Sequence, residues 1–129
     1  AQASHQASGL VRFHGRVDES TKLSLLACAD VLVLAANCCN EAFGIVQLEA
    51  MACGVLAVAL HQPRSGMAWV SAIPCLPWSG LLEDLPALLL RLATNPDLLY
   101  QARCCSHQRY QDVFARAVWI QRLQDAFTP

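Results

Sequence analysis

The feature that most constrains the fold of this chain is a pair of short, wholly apolar runs, Val31–Leu34 and Val55–Leu60. Apolar runs of this length are typical of strands covered on both faces, as in parallel sheets. A helix is predicted between them, from near Gly44 to Cys53, and Gly54 stands where a helix usually stops. A strand, a helix and a strand in this order predict a βα unit and a parallel sheet with helices.

Further elements extend this pattern on both sides. Leu10–His14 alternates apolar and polar residues, which predicts a strand, and Ile73–Leu76 is interpreted as another. Asp18 is expected to cap a helix over about Glu19–Ala29, and Asn95 a second one. The remaining helices are predicted over Met67–Ser71, Leu85–Ala93 and Asp97–Phe127, with a break in the last near Asp112–Arg116.

Size and charge narrow the function classes. The 129 residues, 55% of them hydrophobic, suffice for one domain, predicted over 10–127 after a disordered or linker segment over 1–9. Nine Lys and Arg against ten Asp and Glu give a net charge of −1, which offers no broad basic surface for nucleic acid. No apolar run approaches the roughly 20 residues that span a bilayer.

The cysteines are interpreted as reduced thiols without a metal. There are seven of them and no CxxC spacing, whereas a structural zinc site needs paired ligands at about that spacing. Vicinal pairs leave metal or redox chemistry as the alternative. The seven are Cys28, Cys38, Cys39, Cys53, Cys75, Cys104 and Cys105.

Two carboxylates flank a predicted anion site. Open parallel sheets bind ligands at the carboxyl ends of their strands, and the loop after Val31–Leu34 opens a helix there. Free amides near Gly44 and the helix dipole would attract a phosphate. Glu41 lies in the loop, and Glu49 lies roughly 7.5 Å along the helix axis from Gly44. A carboxylate on each side of a phosphate site suits a nucleotide sugar, because a carboxylate accepts from two hydroxyls at once.

The spacing of these carboxylates alone also allows a plainer interpretation. Glu41 is then a solvated helix cap and Glu49 a solvated helix position, since two carboxylates eight residues apart are common. An unrelated doubly wound domain, such as a signalling receiver, needs an acidic cluster at a strand end. Asp30 precedes its strand and does not supply one.

The block from Glu41 to Gly54 resembles the EX7E motif of family 4 retaining glycosyltransferases. Its two glutamates have seven residues between them, in Glu-Ala-Phe-Gly-Ile-Val-Gln-Leu-Glu, and Ala-Met-Ala-Cys-Gly follows. The flanking segments Val11–Val17, Ala29–Leu34 and Gly66–Val70 resemble other parts of that family, so the resemblance covers about 10–127. It departs from the family at Ala35-Ala36, Leu56 and Arg64.

The resemblance implies a fold and a set of site residues. The fold is α/β, a Rossmann-like parallel sheet with helices on both faces, forming the C-terminal, donor-binding half of a GT-B fold. Glu41 is then the catalytic residue that contacts the donor sugar, and Glu49 holds the ribose. The other donor-binding residues are the amides of Phe43, Gly44 and Ile45, with Gly15 and Arg16 near the base. Family members retain anomeric configuration and need neither a metal nor a cofactor beyond the nucleotide-sugar donor.

The resemblance also implies partners. The acceptor would be a saccharide or a lipid-linked molecule, and the enzyme would lie in the cytoplasm or at the cytoplasmic face of the membrane. The family's N-terminal acceptor-binding domain and its diphosphate-neutralising Arg/Lys pair are not within this sequence, so the isolated chain is expected to be inactive. The alternative function is a non-catalytic or degenerate nucleotide-sugar-binding domain.

Overall fold

A computed structural model describes residues 10–37 and 41–128 of the chain. It contains six α-helices and two strands within that part. In chain order they are α1 (Glu19–Cys28), β1 (Val31–Leu34), α2 (Ile45–Ala52), β2 (Leu56–Ala59), α3 (Met67–Val70), α4 (Leu85–Thr94), α5 (Pro96–Arg109) and α6 (Arg116–Phe127). A 3-10 turn over Leu82–Asp84 precedes α4, and a π-helical turn over Tyr110–Phe114 joins α5 to α6.

The two strands pair in parallel. Val31 is opposite Leu56, and the register runs on to Leu34 opposite Ala59. Parallel neighbours need a crossover connection, which α2 provides. The α/β class and the parallel sheet predicted from the apolar runs are therefore confirmed, and they are consistent with the Rossmann-like fold that the resemblance implies.

Helices cover both faces of β2, whose four residues are all buried. Successive side chains of a strand point to opposite faces, and the two core clusters follow this alternation. On one face, Leu56 and Val58 pack with buried residues of the 73–76 segment and of α4 and α5: Ile73, Leu76, Leu88, Leu92 and Ala102. On the other, Ala57 packs with Val55, which precedes β2, and with residues of α1, α2 and α3: Leu26, Ala50, Met51 and Val70.

Two of the strands expected from the sequence are absent, and each for its own reason. The 10–14 segment is irregular, with Leu10 and Phe13 each 89% exposed, because no neighbouring strand covers its apolar side. The 73–76 segment is buried at Ile73 and Leu76, as a strand there would be, but it turns. The amide of Leu76 bonds back to the carbonyl of Ile73 at 3.3 Å, and Pro74 has no N–H to give a ladder.

The predicted helix ends are mostly confirmed. Asp18 accepts a hydrogen bond from the Thr21 amide at 2.8 Å, and Asn95 accepts one from the Leu98 amide at 3.0 Å. Gly54 follows α2 with a φ of +73°, the left-handed conformation common after helices. The break expected near Asp112–Arg116 is the π-helical turn and Ala115. The predicted linker over 1–9, and the pair Cys38-Cys39, lie outside the described residues.

Helix α6 carries no buried residue. Its large apolar side chains are open to solvent, with Trp119 60% and Phe127 84% exposed. Among the described residues, no helix is both long and apolar enough to cross a membrane.

A pair of neighbouring thiols predicts how stability changes with pH. Burial, and then the contact with Cys105, raises the pKa of Cys75 to about 11. An unfolded cysteine has a pKa of about 8.5. The neutral Cys75 thiol therefore makes its full contribution to the free energy of unfolding below that pH, and this contribution is lost as the pH rises towards 11. We expect urea unfolding to show a steeper loss of stability between pH 8.5 and 11 in the wild type than in Cys75→Ala. An equal dependence of stability on pH in the two proteins would show that burial does not raise the pKa of the Cys75 thiol.

Candidate functional site

Glu41 caps the turn that leads into α2. Its Oε1 accepts a hydrogen bond from the amide of Gly44 at 2.8 Å, and the side chain is partly buried. A carboxylate at a helix N-terminus is stabilised by the positive end of the helix dipole. This is the capping contact of the plainer interpretation of Glu41. It also holds the carboxylate beside the predicted anion site.

Gly44 lies where the end of β1 presses against the start of α2. It is buried and has a φ of +75°, which residues with a Cβ rarely adopt. A Cβ at this position would collide with the Leu34 side chain and would lie 2.8 Å from Nε2 of Gln47. The close approach of strand and helix therefore requires glycine.

Gln47 fastens this turn to α3. Its side chain is fully buried, and its Nε2 donates to the carbonyls of Phe43 at 3.1 Å and Met67 at 3.3 Å. These two acceptors fix the orientation of the amide. Its Oε1 has no hydrogen-bond partner within the described part of the chain. Gln47 thus sets the position of the Phe43 backbone relative to the loop before α3.

The loop before α3 is bonded directly to the Glu41 turn. Ser65 donates from its hydroxyl to the Glu41 carbonyl at 2.6 Å, and the Gly66 amide donates to the Ala42 carbonyl at 2.8 Å. The same Ser65 hydroxyl accepts from the Met67 amide at 3.3 Å. Backbone and side chain of Glu41 are therefore both held. Arg64, which precedes Ser65 in this loop, is exposed and has a φ of +64°.

Glu49 pairs with Lys22 of α1. Nζ of Lys22 lies 2.9 Å from Oε1 of Glu49 and 2.9 Å from Oε1 of Glu19. The hydrogen bond with Glu49, and then that with Glu19, raises the pKa of Lys22. The Glu49 side chain is 30% exposed and the first residue of its face, Ile45, is 68% exposed. The carboxylate therefore borders solvent.

The amides at the start of α2 remain available to an anion. The Gly44 amide is taken by Glu41, whereas those of Phe43 and Ile45 bond to no acceptor in 10–37 or 41–128. They lie between Glu41 and Glu49, which is about 6 Å further along the helix than Ile45. Unpaired amides at a helix N-terminus form an anion site.

Five of the seven predicted site residues thus lie on one turn and one helix. Gly15 and Arg16 do not join them through a hydrogen bond or an ion pair among the described residues. Both are exposed, and Gly15 has a φ of +63° with open space around it. No group of three metal-ligating side chains is found in the described ranges.

An aromatic cluster supports the Glu41 turn from the other side. The ring centroids of Phe43 and Phe114 are 6.1 Å apart, and those of Trp69 and Phe114 are 5.4 Å apart. The planes of each pair meet at 82°, the edge-to-face arrangement that aromatic rings prefer. Phe114 comes from the π-helical turn, so this turn contributes to the packing behind the site.

Sequence reasoning missed three residues of the site. Lys22 is the ion-pair partner of Glu49, and only its spacing from Glu19 gives a hint of this. Gln47 interrupts the apolar run of α2, which is a signal for a buried polar group. Ser65 carries no signal, because its partner Glu41 is 24 residues away.

Comparisons with known proteins relate part of this sequence to a family. The sequence model described as Glycosyl transferases group 1 matches residues 2–67, which are 66 of the 129 residues. A phosphatidyl-myo-inositol mannosyltransferase of Mycolicibacterium smegmatis is 48% identical over 52 residues, which cover 40% of this chain and 13% of that protein. No solved structure matches.

Proposed function

Since the chain belongs to the group 1 glycosyltransferase family, we propose that it binds the nucleotide-sugar donor of a retaining, family 4 enzyme. In this proposal the α2 turn holds the diphosphate between Glu41 on the sugar side and Glu49 on the ribose side. The acceptor is a saccharide or a lipid-linked molecule, which agrees in kind with the phosphatidyl-myo-inositol in the name of the mannosyltransferase relative. The matched stretch is 13% of that relative, so the whole enzyme's activity belongs to this proposal.

The proposal rests on the amides of Phe43 and Ile45, which bond to no acceptor among the described residues and lie between two carboxylates that are each held by a hydrogen bond. The amides and the dipole of α2 attract the diphosphate. Because Oε1 of Glu41 is held by the Gly44 amide, Oε2 can accept from the sugar hydroxyls without a search for its orientation. Contacts to the sugar that strengthen as the glycosidic bond opens would raise the rate.

Glu49 has a similar division of its two oxygens. Oε1 is engaged by Lys22, which leaves Oε2 for a pair of ribose hydroxyls. Hydrogen bonds to a carboxylate are charge-assisted and are about twice as strong as neutral ones.

The two carboxylates should respond differently to substitution. Glu49→Gln keeps the shape and removes the charge, and we expect it to weaken nucleotide binding about tenfold, the difference between a charge-assisted and a neutral hydrogen bond. Glu41→Gln should spare a bare nucleoside diphosphate, which has no sugar to contact, and weaken the nucleotide sugar. Calorimetry with GDP, GDP-mannose, UDP and UDP-glucose measures both effects.

Glu83→Gln is the matched control, because Glu83 is exposed in the 3-10 turn before α4. It should leave all affinities unchanged. If Glu41→Gln weakens the bare diphosphate as much as the nucleotide sugar, Glu41 acts only as the cap of α2. If neither substitution changes any affinity, the assignment of the donor site is wrong.

A further inference from the structure

A cavity of about 520 Å³ lies beyond the candidate donor site. It opens between the carboxyl end of β2, helix α3 and the 73–80 segment, where a fourth strand was expected and is absent. Neither Glu41, Gly44 nor Glu49 lines it. Its size lies in the range of pockets that hold small organic ligands.

Among the described residues that line it, the one charged side chain is that of Arg109, from the end of α5. Nε of Arg109 donates to the Val70 carbonyl at 2.9 Å, and Nη2 donates to the Trp69 carbonyl. The guanidinium also lies 5.4 Å from the ring centroid of Trp69. These contacts fix the group in place and leave Nη1 without a partner among the described residues.

Arg109 lacks a counter-charge in the described part of the chain. No carboxylate lies within ion-pair distance of it, and none belongs to the cavity wall. Arg109 is half-buried, with its guanidinium 5.4 Å from the ring centroid of Trp69 and 5.6 Å from that of Phe114, and this burial lowers its pKa. A partly desolvated cation without an anion is costly, so a bound anion would be stabilised here.

Most of the remaining wall is apolar and aromatic. The indoles of Trp69 and Trp78 contribute to it, together with Ile73, Pro74 and Pro77. Flat apolar surfaces of this kind favour a ring or a short aliphatic chain over a strongly hydrated ion. Arg109 and the apolar part of the wall together therefore favour a single molecule with an anionic head and an apolar body.

We propose that this cavity is a second ligand site, which binds a monophosphate or a carboxylate carried on an aromatic or short aliphatic body. The anionic head lies at Nη1 of Arg109, and the body lies against Trp69 and Trp78. The site is independent of the donor site in its residues, so it stands or falls separately from the proposed function.

Phenyl phosphate is the probe, and the indole N–H signals of the three tryptophans report where it binds. We expect the signals of Trp69 and Trp78 to shift on titration and that of Trp119, on exposed α6, to stay unchanged. Benzyl alcohol, which lacks the charge, should bind at least tenfold more weakly, since a charge-assisted hydrogen bond is lost. Saturating GDP should not displace the probe.

Two variants and a matched control test the residues. Arg109→Met keeps an unbranched stem beside Trp69 and should weaken the probe about tenfold. Arg103→Met is the control: Arg103 is on the same helix and also donates to a backbone carbonyl, that of Gly54, but it does not line the cavity. It should bind the probe as the wild type does. Ala72→Phe narrows the cavity without touching Arg109 and should abolish the shifts, so it decides the question if Arg109→Met does not fold.

Several results would overturn the proposal. They are the absence of shifts at millimolar probe, equal shifts at Trp119, displacement by GDP, equal affinity for benzyl alcohol, and unchanged binding in Ala72→Phe.

Discussion

Replacement of Gly44 by alanine should lower the free energy of unfolding by about 3 kcal/mol. A left-handed φ costs a residue with a Cβ about 1–2 kcal/mol, and overpacking of a tight contact costs about 1–3 kcal/mol more. Both apply here, since the new Cβ would meet the Leu34 side chain and Nε2 of Gln47. Chemical denaturation of the variant and the wild type measures the difference.

The control for this prediction is Gly54→Ala. Gly54 has a φ of +73°, nearly that of Gly44, but a Cβ there has no atom within 4 Å. Gly54→Ala should therefore lose only the backbone part, about 1–2 kcal/mol. A loss as large as that of Gly44→Ala would mean that the packing of β1 against α2 adds nothing.

Gln47→Glu should be at least as damaging at neutral pH. The substitution is nearly isosteric, but it replaces the Nε2 donor with an oxygen that faces the carbonyls of Phe43 and Met67. An unpaired buried charge costs about 3–5 kcal/mol. Burial raises the pKa of such a carboxyl, and the neutral acid regains one donor.

The pH dependence of Gln47→Glu follows from that raised pKa. The stability deficit of the variant relative to the wild type should be smallest below the unfolded pKa of about 4.3 and should grow as the pH rises through the higher folded pKa. Denaturation at pH 4.5 and pH 7.5 should show the deficit relative to wild type growing with pH. Gln101→Glu, on the exposed face of α5, should show no such change. A deficit independent of pH would indicate a cavity or packing fault in place of a buried charge.

The parts of the fold that could be predicted are those with a local cause. The apolar runs of β1 and β2, the caps Asp18 and Asn95, and the stop at Gly54 all act within a few residues, and the structure confirms them. The predictions of strands at 10–14 and 73–76 were wrong. A strand needs a neighbouring strand, and the alternation of Leu10–His14 does not reveal whether one is present. A strand also needs backbone N–H groups for its hydrogen bonds, and Pro74 removes one of them from the 73–76 segment.

The candidate site shows the same division. Glu41, Gly44 and Glu49 could be singled out because their spacing on one turn and one helix is local. Lys22 reaches Glu49 across 27 residues, and Arg109 reaches Trp69 across 40. Such contacts depend on how α1 packs against α2 and how α5 packs against α3, which cannot be predicted from composition or periodicity.

The ion pair of Lys22 also affects how the chain can be handled. Lys22 is the single lysine of this sequence and pairs with Glu49. Labels and sensor surfaces that react with side-chain amines therefore attach at this ion pair. The raised pKa of Lys22 slows acylation at neutral pH, because only the free amine reacts. Immobilisation through Lys22 would therefore break this ion pair and place the sensor surface beside the carboxylate whose ligand is sought.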